Sequence, residues 1–236
     1  MNKVDVLVIG GSATGLVAAM TAKSDHPEKS VMVIRKEEKV MIPCGIPYIY
    51  GTTGNSNNNI LPDGGLNKLG VDIVVDEVIS VDGEKKVCAT KSGKTYEYEK
   101  LIIGTGSLPA VPGWLEGTGL ENVFTIPKDK DYLDRLQEKF EGINKVVVVG
   151  AGFIGVEVSD ELNKGGKDVS LVEILPTILG ATFDEEFALQ AEENLSGRGV
   201  HVLSNTGIKS INGEGKVESV TFNDGTTLAT DAVILS

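Results

Sequence analysis

The stretch that decides the fold runs Lys145-Val-Val-Val-Val-Gly150-Ala-Gly152-Phe153-Ile154-Gly155-Val-Glu-Val-Ser-Asp-Glu-Leu162, and then, after Asn163 to Lys167, Asp168-Val-Ser-Leu-Val-Glu173. Val146 to Val149 form a β-branched apolar run, too short for a helix and suited to a buried strand. Gly150, Gly152 and Gly155 follow in G-x-G-x-x-G spacing, and a helix-like segment follows them. The first glycine allows the tight turn, the second leaves the backbone open to a pyrophosphate, and the third lets helix and strand pack closely. Free amides at the helix start, with the positive end of its dipole, favour an anion there. The second strand, Val169 to Val172, ends in Glu173, 23 positions after Gly150. A carboxylate there can accept from both ribose hydroxyls and would repel a 2′-phosphate, so the spacing predicts NAD(H) over NADP(H). The glycine spacing by itself also suits an ordinary βαβ turn; the complete strand–loop–helix–strand–acid unit carries the reading.

A second unit of this kind opens the chain. Val4 to Ile9 has a strand pattern, then come Gly10-Gly11-Ser12-Ala13-Thr14-Gly15 and an Ala-rich helix from about Leu16 to Lys23. Ser12 stands where the middle glycine usually does. Ser30 to Ile34 is the expected second strand, and Arg35, followed by Lys36, stands where an acid would usually end it. A cation cannot accept from a ribose, but it can stack on adenine or pair with a phosphate. Asp25, Glu37 or Glu38 could take the acceptor role, and spacing does not choose among them.

The bulk numbers narrow the function. A chain of 236 residues makes about one to two domains. With 22 basic and 34 acidic residues, a formal charge of −12 and no basic block, nucleic acid and anionic membrane are disfavoured as partners. No apolar run approaches the ~20 residues of a membrane span, and no signal-peptide core follows Met1-Asn2-Lys3, so the cytoplasm is the expected location. Cys44 and Cys88 make neither a disulfide framework nor a metal cluster.

Cys44 lies in Val40-Met-Ile-Pro43-Cys44-Gly-Ile-Pro47-Tyr48. Pro47 suits a helix's first turn, which would put the thiol just before a helix N-terminus, where a thiolate is favoured. For a lone cysteine the residues alone favour the other reading, a small buried thiol in a proline turn. Gly51 to Gly65, with four asparagines, is expected to be a mobile loop. Further on, Leu66 to Gly70 suggests a short helix, Val71 to Val81 one alternating strand, and Lys85 to Lys91 and Thr95 to Tyr98 a hairpin in which Cys88 is a packing residue. Leu101 to Ile103 is a separate short strand running into Gly104-Thr105-Gly106. Ala110 to Asn122 links the halves, and Lys130 to Phe140 is an amphipathic helix with Leu133, Leu136 and Phe140 inward. Thr182-x-x-Glu185 is a capping box for a helix burying Phe187, Ala191 and Leu195. Three short antiparallel strands and an apolar strand, Asp231 to Leu235, close the chain. His26 and His201 have no visible partner.

Two phosphate loops, a Thr-Gly-x-x-Pro strand end and a lone Pro-Cys-Gly-x-Pro-Tyr, in this order, resemble the pyridine nucleotide–disulfide oxidoreductases. The likeness is to the single-cysteine branch of NADH oxidases, NADH peroxidases, coenzyme A-disulfide reductases and polysulfide reductases. It implies an α/β fold of two Rossmann-like dinucleotide-binding domains with parallel sheets and small antiparallel excursions. Residues 1–110 would be the first segment of an FAD-binding domain and 111–236 an NAD(H)-binding domain. It further implies FAD on Gly10, Gly11, Ser12, Ala13 and Gly15, with Arg35, Lys36, Pro43, Val78, Thr105 and Gly106 also on the cofactor. NAD(H) would lie on Gly150, Gly152, Phe153, Ile154, Gly155 and Glu173. In that family an aromatic at the Phe153 position can cover the nicotinamide pocket. Cys44 would be the redox cysteine, passing electrons to a small-molecule acceptor: a disulfide, a polysulfide or dioxygen. A nucleotide-binding module without turnover, or a flavin reductase that does not use the cysteine, would share both loops.

The sequence departs from that family at several points. Ala13 stands where peroxidases carry a histidine, and Val40 and Pro43 where coenzyme A-disulfide reductases carry a serine and an asparagine. Arg35 replaces the ribose-binding acid. Family members continue into a return segment of the FAD domain and a dimerisation domain that makes them homodimers, so the chain reads as the first part of such a protein.

Overall fold

The computed structural model describes residues 2–236. The chain divides into two compact units, one comprising residues up to Cys44, Asn59–Ser107 and Lys128–Lys130, the other Gly45–Asn58, Leu108–Pro127 and Asp131–Ser236.

The first unit is built on a six-stranded sheet. Its strands are β1 (Asn2–Ile9), β2 (Val31–Arg35), β3 (Asp72–Val75), β4 (Val78–Asp82), β5 (Val87–Thr90) and β6 (Thr95–Ile103), in the order β3-β2-β1-β6-β5-β4. The four strands β3, β2, β1 and β6 are parallel; β6, β5 and β4 continue as an antiparallel extension. Leu7 and Val8 in β1 are both fully buried although they point to opposite faces, which is why this strand is an apolar run and not an alternation. Leu7 packs with Ile34, Cys88 and Tyr96. Val8 packs on the other side with Ala19 of α1 (Ala13–Asp25) and Leu66 of α2 (Gly64–Leu69).

Two expectations about strands change here. Val71 to Val81 is not one strand: Asp76 and Glu77 break it, and β3 and β4 lie at opposite edges of the sheet. The Asp76 amide donates to the Arg35 carbonyl, and its carboxylate takes the Glu77 amide and the Ser92 hydroxyl. A break held by a residue 41 positions away leaves no trace in local alternation. Conversely, Thr95 to Ile103 is one strand, because β1 pairs with it from Tyr96 to Ile103 across the polar Glu99-Lys100 step.

The second unit carries a five-stranded, wholly parallel sheet. Its strands are β7 (Val123–Thr125), β8 (Lys145–Val149), β9 (Asp168–Val172), β10 (His201–Leu203) and β14 (Ala232–Leu235), in the order β10-β9-β8-β14-β7. The expected antiparallel excursion is a three-stranded sheet of β11 (Ile208–Asn212), β12 (Ser219–Phe222) and β13 (Thr227–Ala229). Its Ile211, Val220 and Phe222 share a core with Val147 and Val233 of the parallel sheet. The helices are α3 (Lys130–Phe140), α4 (Phe153–Lys164) and α5 (Glu185–Gly197). In α3, Leu133, Leu136 and Phe140 are buried as expected, and Phe140 meets the Tyr50 and Phe124 rings at 5.6 and 5.8 Å.

The expected capping box is absent. Asp184, not Thr182, is the N-cap of α5, and the inward residues are Ala188 and Leu195, while Phe187 is 60% exposed. The Thr182 amide is instead used in a turn, donating to the Leu179 carbonyl. The acids Glu185 and Glu186 then occupy the first turn, where the helix dipole favours them. His201 does have a partner: its Nε2 lies 3.3 Å from Asp168 Oδ1.

Leu133 is fully buried and Leu108 is 82% exposed. Leu133→Ala is expected to cost the second unit roughly 2–5 kcal/mol in urea unfolding, and Leu108→Ala less than about 0.5 kcal/mol.

Candidate functional site

Both glycine loops take the same backbone form. Gly10 has φ 102° and Gly150 φ 96°, a region open to glycine at little cost. Helix α1 starts after Ser12 (φ −84°, ψ −167°) and α4 after Gly152 (φ −72°, ψ −171°), neither with a side-chain cap. Four amides at each start thus have no partner within the helix. A Cβ on Gly15 would fall 1.8 Å from the Gly10 carbonyl oxygen, and one on Gly155 1.9 Å from that of Gly150. Only glycine permits this approach of helix to strand.

Each loop abuts the end of a further strand of its sheet. A Cβ on Gly10 would lie 2.3 Å from the Gly104 carbonyl oxygen, just before Thr105 and Gly106; on Gly150 it would lie 2.6 Å from that of Ser236. Ser236 Oγ also donates to the Gly150 carbonyl at 2.7 Å. Gly104 and Ser236 thus hold equivalent places beside the two loops.

The middle positions differ. Around Gly152 a Cβ would meet nothing within 4 Å, so the space over the second loop is open. In the first loop the Ser12 hydroxyl is buried with no hydrogen-bond partner among the described residues. A Cβ on Gly11 would fall 2.5 Å from Cδ of Arg35, which lies against the loop. Ala13 is exposed at the helix start and Gly15 is buried beneath it.

The residues that end the second strands are also unlike. Glu173 is buried; its Oε2 accepts from the Ala151 amide at 2.7 Å and its Oε1 from the Leu175 amide at 2.9 Å. The expected ribose acceptor therefore also holds its own loop, with further lone pairs on each oxygen for a ligand. Arg35 is 5% exposed. Its Nη1 and Nη2 donate to the two oxygens of Asp63 at 2.5 and 2.8 Å, and Nη2 also to the Glu38 carbonyl at 2.9 Å. Lys36 is exposed and pairs with Glu37 at 3.4 Å. Val78 is half-buried against the core of the first unit.

Cys44 is exposed, in a short 3₁₀ turn from Pro43 to Gly45, so it is not the buried packing thiol its sequence allowed. The next element does start with Pro47, as expected, but it is a 3₁₀ helix of four residues, Pro47–Tyr50; so short an element aligns few peptide dipoles. Cys88 is buried and burial pushes its thiol up, as suits a packing residue.

The loop expected to be mobile is held in place. Glu161 of α4, 2% exposed, accepts from the Thr52 amide at 2.6 Å, the Thr52 hydroxyl at 2.9 Å and Lys164 at 2.7 Å. Gln137 donates to the Ile49 carbonyl at 2.8 Å, and the Ser56 hydroxyl, buried, donates to Asp134. Gly51 sits so close that a Cβ there would be 2.3 Å from the Glu161 carbonyl oxygen. Sequence reasoning missed Asp63, Thr52, Ser236 and Glu161. The signal for Glu161 was there: an acid on the same face as the apolar Val158 and Leu162.

The fold and site define a class, two phosphate-loop βαβ units in one chain with an exposed cysteine between them in sequence. The chain belongs to the pyridine nucleotide-disulphide oxidoreductase family, whose pattern it matches over residues 4–236. It is 33% identical to an NADH oxidase of Methanocaldococcus jannaschii, over 98% of this chain and 53% of that protein. It is 35% identical to a CoA-dependent NAD(P)H sulfur oxidoreductase of Pyrococcus abyssi, over 99% and 53%. The solved NAD-dependent persulfide reductase of A. fulgidus superposes with a TM-score of 0.87 at 28% identity, over 98% of this chain and 45% of the other. The chain thus spans about half the length of the curated relatives it matches.

Burial pushes the Glu161 carboxyl up, but the hydrogen bonds from Lys164 and Thr52 outweigh it and leave it below the ordinary value. A carboxyl lowered in the folded state stabilises above its unfolded pKa, ~4.3, and loses that contribution as pH falls through the folded value. Glu161→Gln should therefore lower the melting temperature at pH 7, and the gap to wild type should close below about pH 4. A gap that stays constant down to pH 3 would contradict this role.

Proposed function

We propose that the natural full-length protein is an FAD-dependent NAD(P)H oxidoreductase, taking hydride from NADH and reducing a disulfide, a polysulfide or dioxygen. The observation that carries this is the repetition of one phosphate cradle in both units of a chain belonging to this family. When bound, FAD would supply the two-electron relay between nicotinamide and acceptor.

The residues suit these groups. In the second unit the amides at the start of α4 would bind the pyrophosphate, above a Gly152 that leaves the approach open. Glu173 would accept from the adenosine ribose, which favours NADH. Phe153, 53% exposed and edge-on to Phe183 at 5.8 Å, would cover the nicotinamide and swing aside for it. In the first unit the unpartnered Ser12 hydroxyl and the amides at the start of α1 would bind the FAD pyrophosphate. Gly10, Gly11, Ala13 and Gly15 would form that loop, with Thr105 and Gly106 on the flavin side and Lys36, Pro43 and Val78 also on the cofactor.

Cys44 would be the redox-active residue. Its exposed thiolate attacks one sulfur of a disulfide or polysulfide, forming a mixed disulfide or persulfide and expelling the other sulfur as a thiolate. Residues 1–110 would then be FAD-binding and 111–236 NAD(H)-binding, in a cytoplasmic homodimer.

The purified full-length protein should be yellow and bleach when NADH is added without oxygen. Cys44→Ser should still bleach but lose turnover with disulfide and polysulfide. Undiminished sulfur-reducing turnover would take Cys44 out of the mechanism, leaving a flavin reductase that does not use it. A colourless protein still stabilised by NADH would leave a nucleotide-binding module.

A further inference from the structure

We infer that Asp63, held by Arg35, is the carboxylate that receives the adenosine ribose in the first unit. The acid that usually ends β2 would thus be supplied from the loop before α2. The inference rests on reading Gly10–Gly15 as the FAD loop.

Four observations lead there. Arg35 occupies the strand end, where a ribose acceptor is needed and a cation cannot serve. Its side chain lies against Gly11 of the loop, so the pair it forms stands beside the phosphate cradle. Nη2 gives both its N–H groups, to Asp63 and the Glu38 carbonyl, and Nη1 gives one of its two to Asp63. The guanidinium is therefore neutralised, which disfavours direct use of it on a phosphate. The open end of the pair is the acid: the Asp63 side chain is 32% exposed and that of Arg35 4%.

Two further details fit a vicinal diol. Asp63 stands at the N-cap of α2 yet makes no side-chain cap bond, its carboxylate being given to Arg35. That fork uses one lone pair of each oxygen and leaves the others to accept from ribose hydroxyls. Arg35 is then a positioning residue and Asp63 the binding one. Hydrogen bonding from Arg35 also keeps the Asp63 carboxyl below the usual range, so it is a charged acceptor throughout the neutral region.

The test is flavin binding to the deflavinated full-length protein, followed by fluorescence, with FAD and with FMN, which lacks the adenosine. Asp63→Asn should raise the dissociation constant for FAD by roughly tenfold to a hundredfold, as losing bonds to a charged acceptor does, and leave that for FMN unchanged. Combining Arg35→Glu with Asp63→Asn returns the acid to the strand end and should recover most of the FAD affinity. Wild-type affinity for FAD in Asp63→Asn would overturn the inference, as would an equal loss for FMN or no recovery in the double variant. If the wild type takes up no FAD at all, the FAD reading of the loop itself is what fails.

Discussion

The structure depends on how closely a helix can be brought to the strand before it. In both units the third loop glycine sits against the carbonyl of the first, at a distance no side chain could tolerate: a Cβ on Gly15 or Gly155 would lie inside 2 Å of that oxygen. This approach fixes where α1 and α4 begin. Because they begin there, their free amides face the space beyond the strand ends, the place for an anion at low cost. The surrounding elements keep that space framed. Gly104 and Ser236 bring a neighbouring strand end against each loop, and Glu173 and Arg35 close the second strands.

The two cradles share a backbone but not a chemistry. At Glu173 a carboxylate acts locally, on the amides of Ala151 and Leu175. At Arg35 the corresponding position holds a buried cation whose partner, Asp63, is 28 residues further on. A buried guanidinium left with no acceptor would be strongly destabilising, a penalty that an asparagine at 63 lessens because it keeps one acceptor oxygen, so Arg35 and Asp63 have to be considered together. Glu161 shows the same logic in the second unit, a buried acid whose burial is offset by Lys164 and by Thr52 in the segment after Cys44. Arg35 and Glu161 are buried where they join segments far apart in sequence.

That also explains what could be read in advance. The strands, loop glycines and helices of both βαβ units were legible because turn, amide cradle and close packing all lie within a few consecutive residues. The amphipathic α3 and the antiparallel β11–β13 were legible from local periodicity. What was missed depends on distant partners: the break at Asp76 is held by Arg35 and Ser92, the length of β6 by β1, and the order in Gly51–Gly65 by Glu161, Gln137 and Arg35. Residue types misled in two places. Thr182 and Glu185 have capping-box spacing but Asp184 is the cap, and the helix that Pro47 opens is only a four-residue 3₁₀ helix. Asp63 lay hidden among turn residues because nothing local distinguishes an acid paired with a distant buried arginine from a turn aspartate.

The central claim is that one chain carries two separate cradles for adenine dinucleotides. Equilibrium dialysis of the deflavinated full-length protein against FAD and NAD together tests it most directly. One equivalent of each is expected to bind per chain without competition, with NAD binding alone lost in Gly152→Asp, which would set a negative charge in the open approach to the second loop. Mutual displacement of FAD and NAD from a single site, or retention of NAD by that variant, would contradict it.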